Sequence, residues 1–174
     1  MHASSDRPGK PAADFPARGR LLGVDYGTRR LGFAISTADQ TISSPIANHT
    51  RQGHDGDARF VRKLIAEYGP VVGLIVGLPV HMSGDEGGKA REAREFGSWL
   101  ARIAALPVRY SDERYSSLVA EQLLGAELSP KKRQARLDML AAQYILQGYL
   151  DRVHKTDAPG PIDESGGNME CLTM

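Results

Sequence analysis

The chain has 174 residues, the size of one domain with short tails, and a net charge of only +1. No stretch approaches the ~20 consecutive apolar residues of a membrane-spanning helix, and the N-terminus lacks the apolar run of a secretory signal. The single cysteine, Cys171, excludes a disulfide framework and a thiolate metal cluster. We therefore expect a cytoplasmic protein that makes no contact with a membrane.

We expect a folded domain from residue 20 to residue 154, between disordered tails formed by residues 1–19 and 155–174. The first tail is rich in Pro, Ala and Gly and has almost no large apolar side chains. The last tail is rich in Gly, Pro and acidic residues and contains no Lys or Arg after position 155. The domain itself is therefore mildly basic, which is compatible with a nucleic-acid partner.

Three strands are predicted at the start of the domain. Two apolar runs, from Arg20 to Tyr26 and from Arg30 to Thr37, flank a short turn that contains Gly27, which is the pattern of a β-hairpin. A weaker strand is predicted from Thr41 to Thr50. Because short turns join these consecutive strands, they are expected to form an antiparallel meander.

Helices and strands alternate along the rest of the domain. Helices are predicted from Asp55 to Tyr68, from Lys89 to Ala105, from Ser116 or Ser117 to Leu124, and from Ser129 to about His154. Strands are predicted from Val71 to Leu78 and from Pro107 to Tyr110. The order β-β-β-α-β-α-β-α-α predicts an α/β fold, in which helices flank a mixed five-stranded sheet of three antiparallel strands followed by two parallel ones.

Acidic residues occur where this topology collects functional groups. Asp25 ends the first strand, Asp112 and Glu113 follow the last strand, and Asp138 interrupts an apolar segment of the last helix. Because functional groups gather at the carboxyl ends of parallel strands, these carboxylates are expected to converge. Converging carboxylates repel one another and are usually neutralised by Mg²⁺ or Mn²⁺. Two such ions can activate a water and stabilise the leaving oxygen in phosphodiester hydrolysis.

Each acid also has a structural explanation. Asp25 is compatible with a turn-forming aspartate, and Asp138 with an interhelical salt bridge to an arginine. Asp112 and Glu113 are compatible with a local ion pair or with an acid pair near a helix N-terminus. Their joint occurrence at strand ends favours the functional interpretation. The histidines show no ligand spacing and are predicted to lie on the surface: His49, His54, His81 and His154.

Basic residues accompany each acid and are predicted to bind nucleic acid. Together with Thr28 of the first turn, they are Arg29, Arg30, Arg114, Lys131 and Lys132. Basic groups around an acid-lined centre suit a polyanion whose backbone is held while one phosphate is attacked. The two lysines are equally typical of the solvated first turn of a helix.

Four motifs, in this order, resemble the YqgF (RuvX) family: GVDYGT with the LGFAIS that follows, IVGLPVHMSGDEG, SDERYSS, and LDMLAAQYILQGYLD. The similarity extends from about Leu21 to Asp151. It implies an RNase H-like fold similar to that of Holliday-junction resolvases of the RuvC kind. It also implies a nuclease that acts on the 5′ end of pre-16S rRNA, with junction DNA as an alternative substrate.

The resemblance places the catalytic and metal-binding residues at Asp25, Glu113 and Asp138. It implies that Asp25 bridges two Mg²⁺ or Mn²⁺ ions, while Glu113 and Asp138 each hold one. Whether Asp112 or Glu113 is the ligand stays open. The implied partner is structured RNA or branched DNA.

Three other functions are compatible with the sequence. A junction resolvase would need two active sites and hence a homodimer, whereas RNA end processing is possible for a monomer. A non-catalytic nucleic-acid-binding protein would bind polyanions with a salt-dependent affinity and cut nothing. An ATP-binding fragment of the actin and hexokinase type is suggested by the D-x-G-T pattern at Asp25, but such proteins need a second, similar domain.

Overall fold

The computed structural model describes residues 15–78, 88–112 and 129–157. The strands are β1 (Arg20–Tyr26), β2 (Arg30–Ser36), β3 (Ser43–Thr50), β4 (Val71–Leu78) and β5 (Val108–Asp112). The helices are α1 (Gly53–Tyr68), α2 (Gly88–Ala104) and α3 (Pro130–Asp157). These bounds agree with the predicted ones to within a few residues. The helix predicted to begin at Ser116 or Ser117 lies outside the described residues.

The five strands form one mixed sheet in the order β3-β2-β1-β4-β5. The pairs β1–β2 and β2–β3 are antiparallel, and the pairs β1–β4 and β4–β5 are parallel. The predicted α/β architecture, with three antiparallel strands followed by two parallel ones, is therefore confirmed. The parallel strands β1, β4 and β5 direct their carboxyl ends to the same edge of the sheet, where ligands bind in open α/β sheets.

Alternation along β1 divides the molecule into three layers, because successive side chains of a strand point to opposite faces. Leu22 and Val24 are fully buried in the core that includes α1 and α2. Leu21 is fully buried in the second core, against α3. The sheet therefore lies between α1 and α2 on one face and α3 on the other.

Helix α3 lies very close to the sheet because β1 and β2 present glycines to it. A Cβ atom on Gly23 would lie 2.7 Å from the Cβ atom of Leu146, and one on Gly32 would lie 1.9 Å from the carbonyl oxygen of Asp138. The helix also binds the outer strands of the sheet. The amide of Ser43 on β3 donates to Gln147 (2.8 Å), and the Ser111 hydroxyl on β5 donates to the Ile145 carbonyl (3.2 Å).

The prediction that the histidines lie on the surface is wrong for His49. This side chain is 6% exposed, stacks on Phe60 and contacts the carboxylate of Asp57 at 2.9 Å. Asp57 is fully buried and also accepts hydrogen bonds from Arg51 Nε and the Gln52 amide, both at 2.9 Å. Burial alone would raise the pKa of Asp57, but these hydrogen bonds outweigh it and lower the pKa below its ordinary value. The burial of His49 cannot be recognised in the sequence, because its partner Asp57 lies on the following helix, α1.

The remaining histidines are compatible with the prediction where the structure describes them. His54 and His154 are exposed, and His154 contacts the Gln40 carbonyl oxygen at 2.8 Å. His81 lies outside the described ranges.

Phe15, shortly before the predicted domain start, contacts the folded domain. The Phe15 ring packs edge-on against Tyr149 with ring centroids 5.8 Å apart, and the guanidinium of Arg109 lies over it. At the other end, α3 extends to Asp157, a few residues beyond the predicted domain end. Among the helices that the structure describes, none is long and apolar enough to cross a membrane.

Candidate active site

The site is built on one row of residues that crosses three neighbouring strands. In this row Asp25 of β1 pairs with Gly32 of β2, and Gly32 pairs with Asn48 of β3. Helix α3 crosses directly above Gly32, where the missing side chain admits the backbone of Asp138. The acid from the last helix is thereby brought to the acid at the end of the first strand, as the sequence predicts.

Asp138 is held in place by three side chains. Its Oδ2 atom accepts hydrogen bonds from Arg30 Nε (2.7 Å) and Asn48 Nδ2 (2.8 Å). Its Oδ1 atom accepts one from Gln134 Nε2 (3.0 Å), which lies one helical turn earlier. The carboxylate is only 15% exposed, and within the described ranges its one cationic partner is Arg30. The ion pair considered for Asp138 therefore exists, but its arginine comes from a strand and not from a helix.

Among the residues that the structure describes, none holds the Asp25 carboxylate by a hydrogen bond or an ion pair, and its electrostatics differ from those of Asp138. Burial, and to a smaller extent the nearby negative charge of Asp138, raise the pKa of Asp25 to about 7. A carboxyl whose proton is lost near neutral pH, beside a second carboxylate, is typical of functional sites. The turn-forming interpretation of Asp25 does not account for this charge repulsion.

The raised pKa predicts a pH-dependent stability effect of Asp25→Asn. The folded state binds the Asp25 proton more tightly than the unfolded chain does, so the charged carboxylate lowers stability increasingly as the pH rises from about 4 to about 7. The asparagine removes this cost. In metal-free buffer at pH 8 we expect the variant to exceed the parent protein in unfolding free energy by about 2 kcal/mol, since partial exposure moderates the full effect.

Urea denaturation of both proteins with EDTA, at pH 8 and at pH 4.5, measures this difference. The gain should be present at pH 8 and largely absent at pH 4.5. If the variant is equally or less stable than the parent protein at pH 8, the charged Asp25 carboxylate does not destabilise the folded state.

The two carboxylates fit a hard divalent cation. Both donate oxygen atoms, they carry more negative charge than Arg30 offsets, and Mg²⁺ is commonly held by one or two protein carboxylates together with water and substrate phosphate. Within the described ranges, no group of three or more His, Cys, Asp or Glu side chains is arranged to hold a metal. Asp25 and Asp138 therefore form a pair of candidate ligands. The third predicted ligand, Glu113, lies outside the described residues.

The other predicted site residues are placed only in part. Glu113 and Arg114 lie outside the described residues, and Asp112 is the last residue of β5. Thr28 and Arg29 are exposed in the turn between β1 and β2, and Lys131 and Lys132 are exposed in the first turn of α3. Arg30, predicted to bind nucleic acid, is bound to Asp138 and keeps 38% of its side chain exposed.

Sequence reasoning missed Asn48 and Gln134. Asn48 belongs to the strand with the weakest signal, and its position in the active-site row depends on the pairing of β3 with β2. The spacing of Gln134 from Asp138, four residues on a helix, could have indicated the contact.

The chain is similar to known proteins over most of its length. A family described as "RuvX: Holliday junction resolvase" matches residues 19–152. Relatives from Cereibacter sphaeroides and Rhodopseudomonas palustris, both named "Putative pre-16S rRNA nuclease", are 40% and 41% identical. The matches cover 81% and 82% of this chain and 88% and 89% of the relatives.

A solved structure shares the fold. Thermus thermophilus RuvC, in complex with a Holliday junction substrate, aligns over 79% of this chain and 97% of its own with a TM-score of 0.50. At 14% sequence identity this similarity concerns the fold alone. RuvC-type resolvases have the RNase H-like fold, so the predicted fold class is confirmed.

Proposed function

The chain belongs to the RuvX family, and on that premise we propose that it is a metal-dependent endonuclease that processes the 5′ end of pre-16S rRNA. The observation that carries the proposal is the pair Asp25 and Asp138 at the carboxyl edge of the sheet. One of these carboxylates is held by Arg30, Asn48 and Gln134, and burial and charge repulsion raise the pKa of the other to about 7.

One or two divalent cations, Mg²⁺ or Mn²⁺, would be held by Asp25 and Asp138, with Glu113 as a further ligand. When bound, such a cation supplies positive charge to the phosphate oxygens and lowers the pKa of a coordinated water. No other metal chemistry is needed for phosphodiester hydrolysis.

The residues of the chain itself prepare this site. Asp25 must lose its proton before it can act as a ligand, and a pKa of about 7 makes this possible at neutral pH. Asn48 and Gln134 fix the orientation of the Asp138 carboxylate, since each donates to one of its oxygens. A guanidinium has five N–H donors, so Arg30 can hold Asp138 and a substrate phosphate at the same time.

The substrate backbone would be held by the exposed residues near the same edge. Thr28 and Arg29 extend from the turn that follows β1, and Lys131 and Lys132 from the start of α3; Arg114 is proposed from the sequence alone. Contacts of this kind position a phosphate backbone without reading its sequence. The cytoplasmic location and the monomeric or homodimeric state stay predictions.

A cleavage assay with three substrates tests the proposal. Purified protein with Mg²⁺ or Mn²⁺ is offered a pre-16S rRNA fragment with its 5′ extension, an unstructured single-stranded RNA and a four-way DNA junction. Cleavage of the precursor, abolished by EDTA, is expected. Paired cuts in the junction alone would instead support a dimeric resolvase, and binding without any cleavage would support a non-catalytic protein.

A further inference from the structure

A groove of about 330 Å³ lies on the other face of the sheet from Asp138. It is lined mainly by aromatic and charged side chains of β1, α1 and α2, among them Tyr26, His54, Glu92, Glu95, Phe96 and Trp99. The volume is at the lower end of the roughly 300–1,000 Å³ typical of small-ligand sites. Neither Asp25 nor Asp138 is among the described residues that line this groove.

The aromatic side chains of the groove form one contiguous cluster. Phe96 packs against Tyr26 with centroids 4.8 Å apart and against Trp99 with centroids 5.4 Å apart. His54 meets the Trp99 ring edge-on, with centroids 5.4 Å apart. Phe96 is buried, whereas Trp99 is half-buried and His54 is exposed. The outer members can therefore offer ring surface to a flat ligand.

Arg51 makes one wall of this groove rigid. Its Nε atom donates to the fully buried Asp57 at 2.9 Å, and its guanidinium lies over the rings of Tyr26 and Phe96, at 5.4 and 5.5 Å from their centroids. An arginine held in this way keeps the groove in shape before any ligand arrives. The cluster of His49, Asp57 and Arg51, which the proposed chemistry does not use, would thereby shape this groove.

The charges of the groove fit a base better than a phosphate. Arg51 is neutralised by Asp57, while Glu92 and Glu95 add two carboxylates to the lining, which also contains Arg102. These carboxylates disfavour a phosphate group. They can instead accept hydrogen bonds from exocyclic amino groups, as carboxylates do from N4 of cytosine.

The groove and the carboxylate pair share the end of one strand. Asp25 faces α3, and the next residue, Tyr26, faces α2 and lines the groove. A nucleic-acid strand that crosses the end of β1 can therefore place a phosphate at Asp25 and a neighbouring base in the groove.

We propose that this groove binds an unpaired nucleobase of the substrate, stacked on Trp99, met at its edge by His54, and selected for an exocyclic amino group by Glu92 and Glu95. The inference rests on the proposed nuclease function, because it takes the ligand to be a single-stranded segment beside the cleaved bond. It adds a specificity-determining site on the opposite face of the sheet from Asp138.

The fluorescence of Trp99 tests the inference, since this is the only tryptophan in the chain. Full-length protein in EDTA is titrated with short oligocytidylate and oligouridylate, whose bases differ chiefly in the amino or carbonyl group at position 4. Both should change the Trp99 emission, and oligocytidylate should bind at least fivefold more tightly, as expected for one well-formed base contact. His54→Ala should weaken oligocytidylate binding about fivefold, through loss of the edge-on aromatic contact with the base.

The double substitution Glu92→Gln and Glu95→Gln should remove most of the cytosine preference. Glu67→Gln is the matched control, because Glu67 is an exposed glutamate of α1 outside this groove, and it should keep the preference. The inference is overturned if RNA binds without changing the Trp99 emission, or if the double variant keeps the full preference.

Failure of this inference is distinguishable from failure of the proposed function. Metal-dependent cleavage without a Trp99 response would remove the base site and leave the nuclease. A cytosine-selective Trp99 response without cleavage of any substrate would leave the base site and remove the nuclease.

Discussion

Asp25→Asn is expected to lower the rate of phosphodiester cleavage at least about 100-fold, the scale on which catalytic charge stabilisation operates, and to leave the affinity for RNA within about twofold. Asparagine keeps the shape of the side chain but supplies no negative charge to a divalent cation. The exposed basic residues that would hold the substrate backbone are unchanged. Single-turnover cleavage with Mn²⁺ and filter binding in EDTA measure the two quantities separately.

Asp39→Asn is the matched control for this substitution. Asp39 is a fully exposed aspartate in the turn between β2 and β3, away from the active-site row, and its loss should change neither quantity. Equal cleavage by Asp25→Asn and the parent protein would remove Asp25 from the chemistry. A parallel loss of RNA binding would show that the residue acts on substrate affinity.

Gly32→Ala is expected to destabilise the protein by about 3 kcal/mol and to lower cleavage strongly even where the variant is folded. A Cβ atom at this position would lie 1.9 Å from the carbonyl oxygen of Asp138, so α3 must move away from the sheet. That movement separates Asp138 from Asp25 and weakens its contacts with Arg30 and Asn48. Urea denaturation and a cleavage assay well below the melting temperature measure both effects.

Gly88→Ala provides the comparison for the effect of an added methyl group. Gly88 begins α2, and a Cβ atom there would meet no atom within 4 Å in the described structure. Its replacement should be neutral or slightly stabilising, because alanine favours helix more than glycine does. If Gly32→Ala is as mild as Gly88→Ala, the close approach of α3 does not position the site.

The sheet could be predicted from the sequence because its signals are local. The apolar run from Val71 to Leu78 and the two halves of the first hairpin determine strand identity, and the lengths of the connections determine strand direction. Asp25 and Asp138 could be selected because each is an acid at the end of, or within, an apolar segment. Their convergence then follows from the order of the elements.

The immediate surroundings of the site could not be predicted, because they depend on which residues meet across elements. The backbone of α3 packs directly on Gly32. Asn48 reaches Asp138 only because of the register in which β3 pairs with β2. In the same way His49, predicted as a surface residue, is buried by its contact with Asp57 on the following helix. Such contacts are decided by packing and leave no pattern in a single sequence.

The most direct test of the carboxylate pair is a titration with Mn²⁺. Binding is measured as the loss of the electron paramagnetic resonance signal of the free ion. The parent protein should bind Mn²⁺ without any nucleic acid present. Asp25→Asn and Asp138→Asn should each bind it at least about tenfold more weakly, whereas Asp39→Asn should bind it as the parent protein does. The same affinity in all four proteins would contradict the assignment of Asp25 and Asp138 as the metal ligands of this nuclease.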